Sequence, residues 1–500
     1  MAVIEAQIGE FLPAFPKQNN PGCVVANNCI PAEGGYAPML APVVATTTVT
    51  AGGGGTSSAF VGPVRGAALV FKSDGSPIIV GGSEDDLFVR NGSSAVETTV
   101  AASVISGEFW DFAQFNSFVF ATSIANNPQY LTDVDSDTSW SDLTGSPPKA
   151  RYCERFADFL MLGYIDGFPT RIQWSAFNNP GGSWAADRLT QAGFADLDPR
   201  GGAVTALVGG RYPMVFQERG VSLVQYVGPP TVWRVALVSE DRGCIAPRSV
   251  ATIGSQTFFL SQDGFYMTNG SEFAPIGSQR VNKWFFETVD NAFISWTQAA
   301  VDWQNRCIVW AFRSVGSALP DRMLIYSWEQ DRFSTATVGV DWIVGSRISA
   351  TTLEDLDALF ATLEGVTPSM DSEVWLAGDR VLAAFISGGG ATATFNTFNG
   401  SAMQADWELG AFQPAPGQRV FISGAQLVMD TTDWSMQVAA VPADNQRGET
   451  TTAYNSPGVD GAVPLRADGK EMRVALRMPS AAVWTRAQAV QLTYRGSGRR

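Results

Sequence analysis

Short apolar runs with the two-residue alternation of β-strands dominate the chain, and Gly, Pro, Asn and Asp separate them. In FFLSQDGFYMTNG (258–270), one apolar run reaches Asp263-Gly264 and a second begins at Phe265. This pattern predicts two strands joined by a tight turn. Helical periodicity is rare and predicts short helices only over 278–289 and 352–360.

The strand-turn-strand pattern recurs along the chain. Its apolar centres recur about every 48 residues, within the ~40–50 residue period of propeller blades; they are Val70, Val119, Leu160, Val215, Phe259, Val309 and Leu359. A blade is a small antiparallel sheet with two apolar faces, which its neighbours must cover. We therefore expect an all-β fold built on a β-propeller of about seven blades. An irregular array of β-sandwiches is the alternative.

Two flanks lie outside this period. Residues 1–60 are rich in Pro, Gly and Asn, which predicts an extended N-terminal arm and a flexible Gly-rich loop over 50–58. The propeller is then expected over 61–400, and a separate C-terminal β domain, a small sandwich, over 401–500.

The strand pattern of the C-terminal domain is clearest in EMRVALRM (471–478). Alternation predicts one apolar face and one face that carries Arg473 and Arg477. The apolar face holds Met472, Val474, Leu476 and Met478. Asp468-Gly469, just before this strand, predicts a hairpin turn.

Composition narrows the possible functions. Charged residues make up 16% of the chain, against roughly 25% in an ordinary soluble domain, and 15 Trp and 31 Phe suit large interfaces. A net charge of −15 argues against a free-standing nucleic-acid binder, although a channel that nucleic acid slides through remains open. The absence of histidine removes imidazole bases and His-ligated zinc, but carboxylate chemistry such as glycoside hydrolysis survives.

Cellular context follows from the cysteines and the first residues. The five cysteines have no C-x-x-C spacing, so we expect reduced thiols in a protein made in cytoplasm, with a Cys23–Cys29 pair as the alternative. They are Cys23, Cys29, Cys153, Cys244 and Cys307. The N-terminus lacks a signal-peptide pattern, and no apolar run approaches the ~20 residues of a membrane span, so we expect no membrane insertion.

The stretch DVDSDTSW (133–140) is the strongest candidate for a binding site. Asp133, Asp135 and Asp137 have the spacing of a calcium loop, but the glycine and glutamate that an EF-hand requires are replaced by Thr138 and Thr144. The stretch resembles a degenerate Asp-box, a structural hairpin turn of sialidase-like propellers. We therefore expect a structural turn, with calcium binding as the minor alternative.

The remaining candidates favour structural roles. The carboxylate runs 82–89 and 353–360 are expected to be solvated turns. Glu218 and Arg219 predict a salt bridge in a blade turn rather than a catalytic acid. No nucleotide-binding or nucleophile-elbow motif occurs, so we expect no catalytic, cofactor-binding or metal-binding residues. The tryptophans Trp140, Trp174 and Trp184 are expected to pack between blades.

A family resemblance adds to this interpretation. The opening GEFLPAFPKQNNPGCVVANNCIPAEGGYAPMLAP (9–42) combines a Phe-Leu-Pro start, an Asn-Pro-Gly turn, an Asn-x-Ile-Pro segment and a Gly-Tyr-x-Pro segment. It resembles the tail nozzle proteins of short-tailed bacteriophages, also called tail tubular protein B or packaged-DNA stabilisation proteins. Further similar stretches lie over 109–122, 156–163, 172–184, 215–228, 261–277 and 417–430.

The resemblance implies a structural role. Copies of the chain, six in the related proteins, would form a ring in the virion tail below the head-to-tail adaptor. The ring would line the exit channel for double-stranded DNA, retain the packaged genome and contact tail fibres or spikes. An acidic lumen would suit the passage of DNA, because repelled phosphates do not adhere. Some nozzle proteins carry inserted tip domains, whereas here we expect only the propeller and one C-terminal domain. The alternatives are a propeller glycosidase and a glycan-binding adhesin.

Overall fold

The computed structural model describes residues 2–46, 48–51, 54–105, 107–347, 380–431, 436–444, 448–449, 454–458 and 461–498. Strands dominate these residues, as the alternation predicts. The α-helix α1 (Asn282–Thr288) lies inside the predicted helix 278–289 but is shorter. The β-branched Val289 has an extended backbone conformation, and the helix ends before it. Four 3₁₀ turns cover Lys17–Asn19, Pro199–Gly201, Pro247–Ser249 and Asn291–Trp296. The predicted helix 352–360 lies outside the described residues.

The first 61 residues contribute eight strands that pair with distant parts of the chain. β1 pairs with the last strand of the protein, and β5 and β8 pair with a strand near residue 395. The strands are β1 (Ala2–Gln7), β2 (Cys23–Asn27), β3 (Cys29–Ala32), β4 (Gly35–Pro38), β5 (Leu40–Val44), β6 (Thr48–Thr50), β7 (Thr56–Ser57) and β8 (Phe60–Val61).

Five antiparallel four-stranded sheets follow in chain order, and we number them blades 1 to 5. β6 and β7 extend blade 1 at its outer edge. Blade 1 comprises β9 (Ala67–Phe71), β10 (Pro77–Gly82), β11 (Asp86–Asn91) and β12 (Ser94–Thr99). Blade 2 comprises β13 (Asp111–Phe115), β14 (Phe118–Thr122), β15 (Gln129–Leu131) and β16 (Ser141–Asp142). Blade 3 comprises β17 (Ala150–Phe156), β18 (Phe159–Ile165), β19 (Phe168–Trp174) and β20 (Gly193–Asp196). Blade 4 comprises β21 (Val204–Val208), β22 (Met214–Gln217), β23 (Val221–Gly228) and β24 (Val232–Ser239). Blade 5 comprises β25 (Ala251–Ile253), β26 (Gln256–Ser261), β27 (Gly264–Thr268) and β28 (Phe273–Pro275).

Blades 6 and 7 complete the series. Blade 7 takes its outermost strand from the N-terminal segment, because β5 pairs with β35. Blade 6 comprises β29 (Gln298–Asp302), β30 (Cys307–Phe312), β31 (Arg322–Ser327) and β32 (Arg332–Thr337). The remaining strands of blade 7 are β33 (Trp342–Arg347), β34 (Arg380–Ile386) and β35 (Thr392–Ala402).

Apolar clusters between neighbouring blades close these sheets into a circle. A separate buried cluster lies at each junction from blade 1 to blade 7. The closing cluster joins blade 7 to blade 1 through Phe60, Phe88 and Phe385, whose ring centroids lie 4.5–5.4 Å apart. The indole N–H of Trp342 in blade 7 also donates to the carbonyl of Ala67 in blade 1 at 3.1 Å. The fold is therefore a β-propeller with seven described blades, and the predicted fold class is confirmed.

The C-terminal residues form two packed sheets in which N-terminal strands participate. One sheet has the order β3-β4-β42-β37-β40, with β1 also on β42. The other continues from blade 6 through β2 to β36, β41, β38 and β39. The strands are β36 (Ala405–Leu409), β37 (Arg419–Thr431), β38 (Gln437–Asp444), β39 (Gly448–Glu449), β40 (Val463–Gly469), β41 (Glu471–Met478) and β42 (Trp484–Gly498). The domain boundaries at 60/61 and 400/401 stay predictions.

The strands confirm one of the two predicted hairpins and contradict the other. The hairpin in 258–270 is confirmed, since β26 and β27 pair around Ser261 and Gly264. The predicted hairpin at Asp468-Gly469 is wrong, because β40 pairs with β37 whereas β41 pairs with β36 and β38 in the other sheet. The chain uses this turn to cross between sheets, a choice that depends on distant partners. Of the blade centres, Leu359 lies outside the described residues.

One face of β41 is apolar as predicted, and Met472, Val474, Leu476 and Met478 are fully buried there. The opposite face is less exposed than the alternation indicated. Arg473 is also buried, where it forms an ion pair with Glu408 of β36. β41 is a central strand of its sheet, and both arginines pair with carboxylates of the adjacent β36, Arg473 with Glu408 and Arg477 with Asp406.

Glycines allow the N-terminal strands to approach the C-terminal sheets closely. A Cβ atom on Gly35 of β4 would overlap the carbonyl oxygen of Ala487 in β42, and one on Gly22 would overlap the carbonyl oxygen of Glu10. The absence of a side chain at these positions is therefore a condition for docking of the N-terminal segment.

Gly35→Ala should destabilise the protein by about 1–3 kcal/mol, because β4 must move away from β42 to relieve the overlap. Gly339→Ala is the matched control, since a Cβ at Gly339 meets nothing within 4 Å. Urea unfolding followed by tryptophan fluorescence would measure both variants. Equal unfolding midpoints for the two variants would contradict close docking of the N-terminal segment.

Candidate functional site

The innermost strands of the blades surround a cavity of about 360 Å³ on the propeller axis, which we call the axial cavity. Blades 2 to 7 all contribute to its wall, because the first strand of each blade lies nearest the axis. Its lining includes Asp111, Tyr152, Glu154, Ala206, Val208, Arg248, Thr252, Ala299 and Trp342. Because it combines charged side chains with aromatic rings, the axial cavity is the candidate functional site.

Arg248 crosses the propeller axis. It lies in the 3₁₀ turn before β25, and its Nη1 donates to Oδ1 of Asp111 in blade 2 at 2.6 Å. The guanidinium also lies 5.5–6.0 Å from the ring centroids of Tyr152, Phe109 and Trp342. A second cavity of about 110 Å³ shares Tyr152 and Arg248 in its lining. Arg248 thus borders both cavities.

Asp111 connects three blades. Its Oδ2 accepts a hydrogen bond of 3.0 Å from the backbone N–H of Cys153 in blade 3, while Oδ1 binds Arg248 before blade 5. The Arg248 and Asp111 side chains are only 11% and 25% exposed. An ion pair this sheltered has little solvent screening, so loss of either partner leaves a poorly solvated charge.

Glu154 is the perturbed acid of the axial cavity. Its pKa is raised to about 8, mainly by burial; a 2.9 Å hydrogen bond from the backbone N–H of Arg155 lowers the pKa, and the nearby charge of Asp111 raises it. Glu154 is therefore largely protonated at neutral pH. A protonated carboxyl near a second carboxylate is the combination that acid catalysis uses. Here, however, the carboxylate of Asp111 is bonded to the Arg248 guanidinium.

All five cysteines are buried free thiols, and burial raises the pKa of Cys23 and Cys244 to about 12. Within the described ranges, no group of three or more Cys, Asp or Glu side chains is arranged to hold a metal ion.

The stretch 133–140 forms a turn between β15 and β16. Asp133 accepts from the backbone N–H of Asp135 at 3.1 Å, and Asp137 accepts from the backbone N–H of Asp133 at 3.0 Å. Asp135 accepts from the backbone N–H of Ser73 in blade 1 at 2.8 Å. The three carboxylates therefore bond to different turn groups and do not converge, as the structural-turn interpretation predicts.

The carboxylate run 82–89 is tied into blade 1. Arg65 pairs with Glu84 at 3.0 Å, and Asp86 accepts from the hydroxyl of Thr99 at 2.7 Å. The run 353–360 lies outside the described residues. The predicted salt bridge of Glu218 and Arg219 is wrong: in the part of the chain that is described, neither side chain forms an ion pair. Both are exposed on the turn between β22 and β23, and adjacent residues there project apart.

The three tryptophans singled out from the sequence are buried. Trp140, Trp174 and Trp184 are 6%, 4% and 2% exposed and lie in three different clusters between blades. They pack as expected, and they cannot present flat aromatic surfaces to a glycan.

Sequence reasoning missed the residues of the axial cavity. Asp111, Glu154 and Arg248 are isolated charges beside apolar strand residues, and no short motif connects them. Their common signal is position: each lies in, or just before, the first strand of its blade. That signal becomes useful only once the blade boundaries are known.

Comparisons with known proteins indicate no family and no function for this chain. No protein-family model and no curated protein matches the chain. Similar solved structures include a mitotic checkpoint complex (13% identity, 66% of this chain and 90% of that chain, TM-score 0.36). YCF48 bound to D1 peptide is 10% identical over 57% of this chain and 87% of that chain, with a TM-score of 0.33. An exo-β-1,3-galactanase from Phanerochaete chrysosporium with β-1,3-galactotriose is 7% identical over 79% of this chain and 97% of that chain, with a TM-score of 0.27.

The class that the fold defines is a seven-bladed β-propeller with a packed two-sheet C-terminal region. Among the described residues, every helix is too short or too polar to serve as a membrane-spanning segment.

Arg248→Met should destabilise the protein by about 2–4 kcal/mol, because it leaves the Asp111 carboxylate without its partner in a sheltered site. Arg200→Met is the control: Arg200 is 81% exposed and pairs with Asp198 on the surface, where solvent screens the pair and only a small loss of stability is expected. Urea midpoints at pH 7 would measure both. A cost for Arg248→Met no larger than that for Arg200→Met would show that the axial pair does not hold the blades together.

Glu154 predicts a pH dependence of stability. The folded protein keeps this proton up to about pH 8, while the unfolded chain releases it near the ordinary value of 4.5. The unfolded state therefore binds fewer protons in this window, and the stability contributed by Glu154 decreases as the pH rises from about 4.5 to 8. The urea midpoint of the wild type should fall across this range relative to that of Glu154→Gln. Parallel midpoint curves would refute the assignment.

Proposed function

We propose that this chain is a structural virion protein that forms the tail nozzle ring of a short-tailed phage. In this proposal, copies of the chain close into a ring, six by analogy with the family that the sequence resembles. The ring docks below the head-to-tail adaptor, lines the exit channel for double-stranded DNA, retains the packaged genome and contacts tail fibres or spikes. The protein is made and assembled in the bacterial cytoplasm and resides in the virion tail.

The observation that carries the proposal is where the family-like stretches lie in the fold. The opening stretch 9–42 supplies β2 to β4, which join the C-terminal sheets, and the first three residues of β5, which completes blade 7. The stretch 261–277 supplies β27 and β28 of blade 5, and 417–430 supplies most of β37. The resemblance therefore follows the segments that hold the architecture together, which supports a shared scaffold.

The closed propeller axis sets the route that DNA would take. Arg248 and Asp111 meet on the axis, and the remaining axial cavity is only about 360 Å³. A duplex cannot pass through a single subunit, so a channel for it would lie between copies. A ring with heterologous contacts that close provides such a channel. We further propose that acidic residues face this channel, because the chain carries a net charge of −15.

A propeller glycosidase is the second candidate function, and one observation favours it. Asp111 and Glu154 both line the axial cavity, and the raised pKa of Glu154 suits a general acid. Arg248, which is bonded to Asp111, would have to move before a sugar could enter between the two carboxyl groups. The adhesin alternative loses its candidate tryptophans, which are buried.

The purified protein should assemble into rings with a central hole that are visible by negative-stain electron microscopy, and native mass spectrometry should give a single closed stoichiometry. Mixing with the adaptor ring should place the assembly coaxially on it. The same preparation should release no reducing sugar from host polysaccharide. A protein that stays monomeric with the adaptor present and hydrolyses polysaccharide, with activity lost in Glu154→Gln, would replace the nozzle by the glycosidase.

A further inference from the structure

Exposed apolar side chains are concentrated on two neighbouring blades. Of 17 large apolar side chains that are exposed among the described residues, eight belong to blades 3 and 4. The most exposed is Leu189, at 92%. Six of these exposed side chains define a surface that we call the blade 3–4 rim: Phe168, Phe177, Leu189, Phe194, Tyr226 and Val227.

The rim is structurally ordered. The Arg171 guanidinium lies 4.0 Å from the ring centroid of Phe168 and 4.2 Å from that of Phe194, and a 2.7 Å ion pair with Asp196 holds it there. The Tyr226 hydroxyl of blade 4 donates to the side-chain oxygen of Gln191 in blade 3 at 2.9 Å. Aromatic rings and arginine are enriched at the cores of protein interfaces, and here both are held in place without a partner.

An uncovered strand edge adjoins this rim. Most outermost blade strands are covered by another strand of the chain or are short: β16, β20 and β28 have two, four and three residues. β24 has eight residues, and no described strand pairs with its outer side. It carries one charged residue, Arg234, while Leu237 is 43% exposed. A long edge with so little charge is a site where another chain can add.

The exposed area matches a subunit interface. An aromatic side chain offers about 150–250 Å². With the smaller aliphatic side chains counted at the low end of that range, the exposed fractions of the six rim side chains and Leu237 correspond to roughly 650 Å². Each partner of a standard protein interface contributes about 800 Å². The summed exposed apolar area of these two blades is thus comparable with one side of such an interface.

We propose that the blade 3–4 rim and the open edge of β24 form the contact surface for a second copy of this chain. This inference rests on the proposed ring, because a closed assembly of identical copies is what requires one chain to cover another. The second copy buries the rim side chains and places backbone groups or apolar side chains along β24. The rim is then a subunit seam, and surfaces for fibres or spikes lie elsewhere.

The test uses the full-length chain with Leu189→Glu and Val227→Glu combined. Both side chains are exposed, so the monomer should keep its fold and its urea midpoint, whereas two buried carboxylates in the seam should weaken association by about tenfold or more. Val315→Glu in blade 6 is the matched control, because Val315 is 71% exposed outside the rim. Native mass spectrometry across a concentration series would measure assembly, and hydrogen exchange at 232–239 should be slower in the assembled wild type than in the double variant.

The outcomes separate the two proposals. If the wild type and Val315→Glu form rings and the double variant is monomeric, the rim is the seam. If all three form rings with equal stability, the seam is overturned and the ring stands. If the wild type forms open dimers that only the double variant loses, the seam stands and the nozzle ring fails. A wild type that stays monomeric at all concentrations, alone and with the adaptor ring, overturns both.

Discussion

Burial of apolar blade faces between neighbours is the interaction on which the rest of this structure depends. A four-stranded sheet with two apolar faces has no stable state in water alone, since each face needs another surface. A cluster of buried apolar side chains therefore lies at every junction between blades, including the junction where blade 7 meets blade 1. Phe60, Phe88 and Phe385 meet there from three distant segments. Closing a loop of this length costs roughly 5 kcal/mol of chain entropy, while burial of three phenylalanines contributes about 5–9 kcal/mol, so closure is favoured.

The same closure explains why the N-terminal segment is shared among several sheets. β5 becomes the outer strand of blade 7, and β2 lies between blade 6 and β36, so one segment fastens the circle and joins it to the C-terminal sheets. The close approach of Gly35 to Ala487 is part of this arrangement. A propeller fastened in this way resists opening between its first and last blades.

The sequence was sufficient for those features that repeat locally. The blade period, the hairpin at 261–264 and the burial of Trp140 and Trp184 follow from alternation, turn residues and the need to cover two apolar faces. It was insufficient where partners are remote. The turn at Asp468-Gly469 has the residues of a hairpin, yet its two strands join different sheets, because the partners β37 and β38 decide the outcome. Asp111 and Arg248 are 137 positions apart and meet only because the blades form a circle.

The axial ion pair and the apolar rim differ in their exposure to solvent: the charges are enclosed, whereas the apolar side chains are exposed. At the axis, a charge is enclosed and satisfied within the subunit, so the centre of the propeller is occupied by its own Arg248. At the outer edge of blades 3 and 4, apolar groups and a strand edge are left open to water. A small-molecule enzyme usually has the reverse arrangement, with an accessible centre and a polar rim. A closed centre with an exposed apolar edge instead supports the proposal that the chain acts through contacts between subunits, and a closed ring is one arrangement that satisfies such contacts.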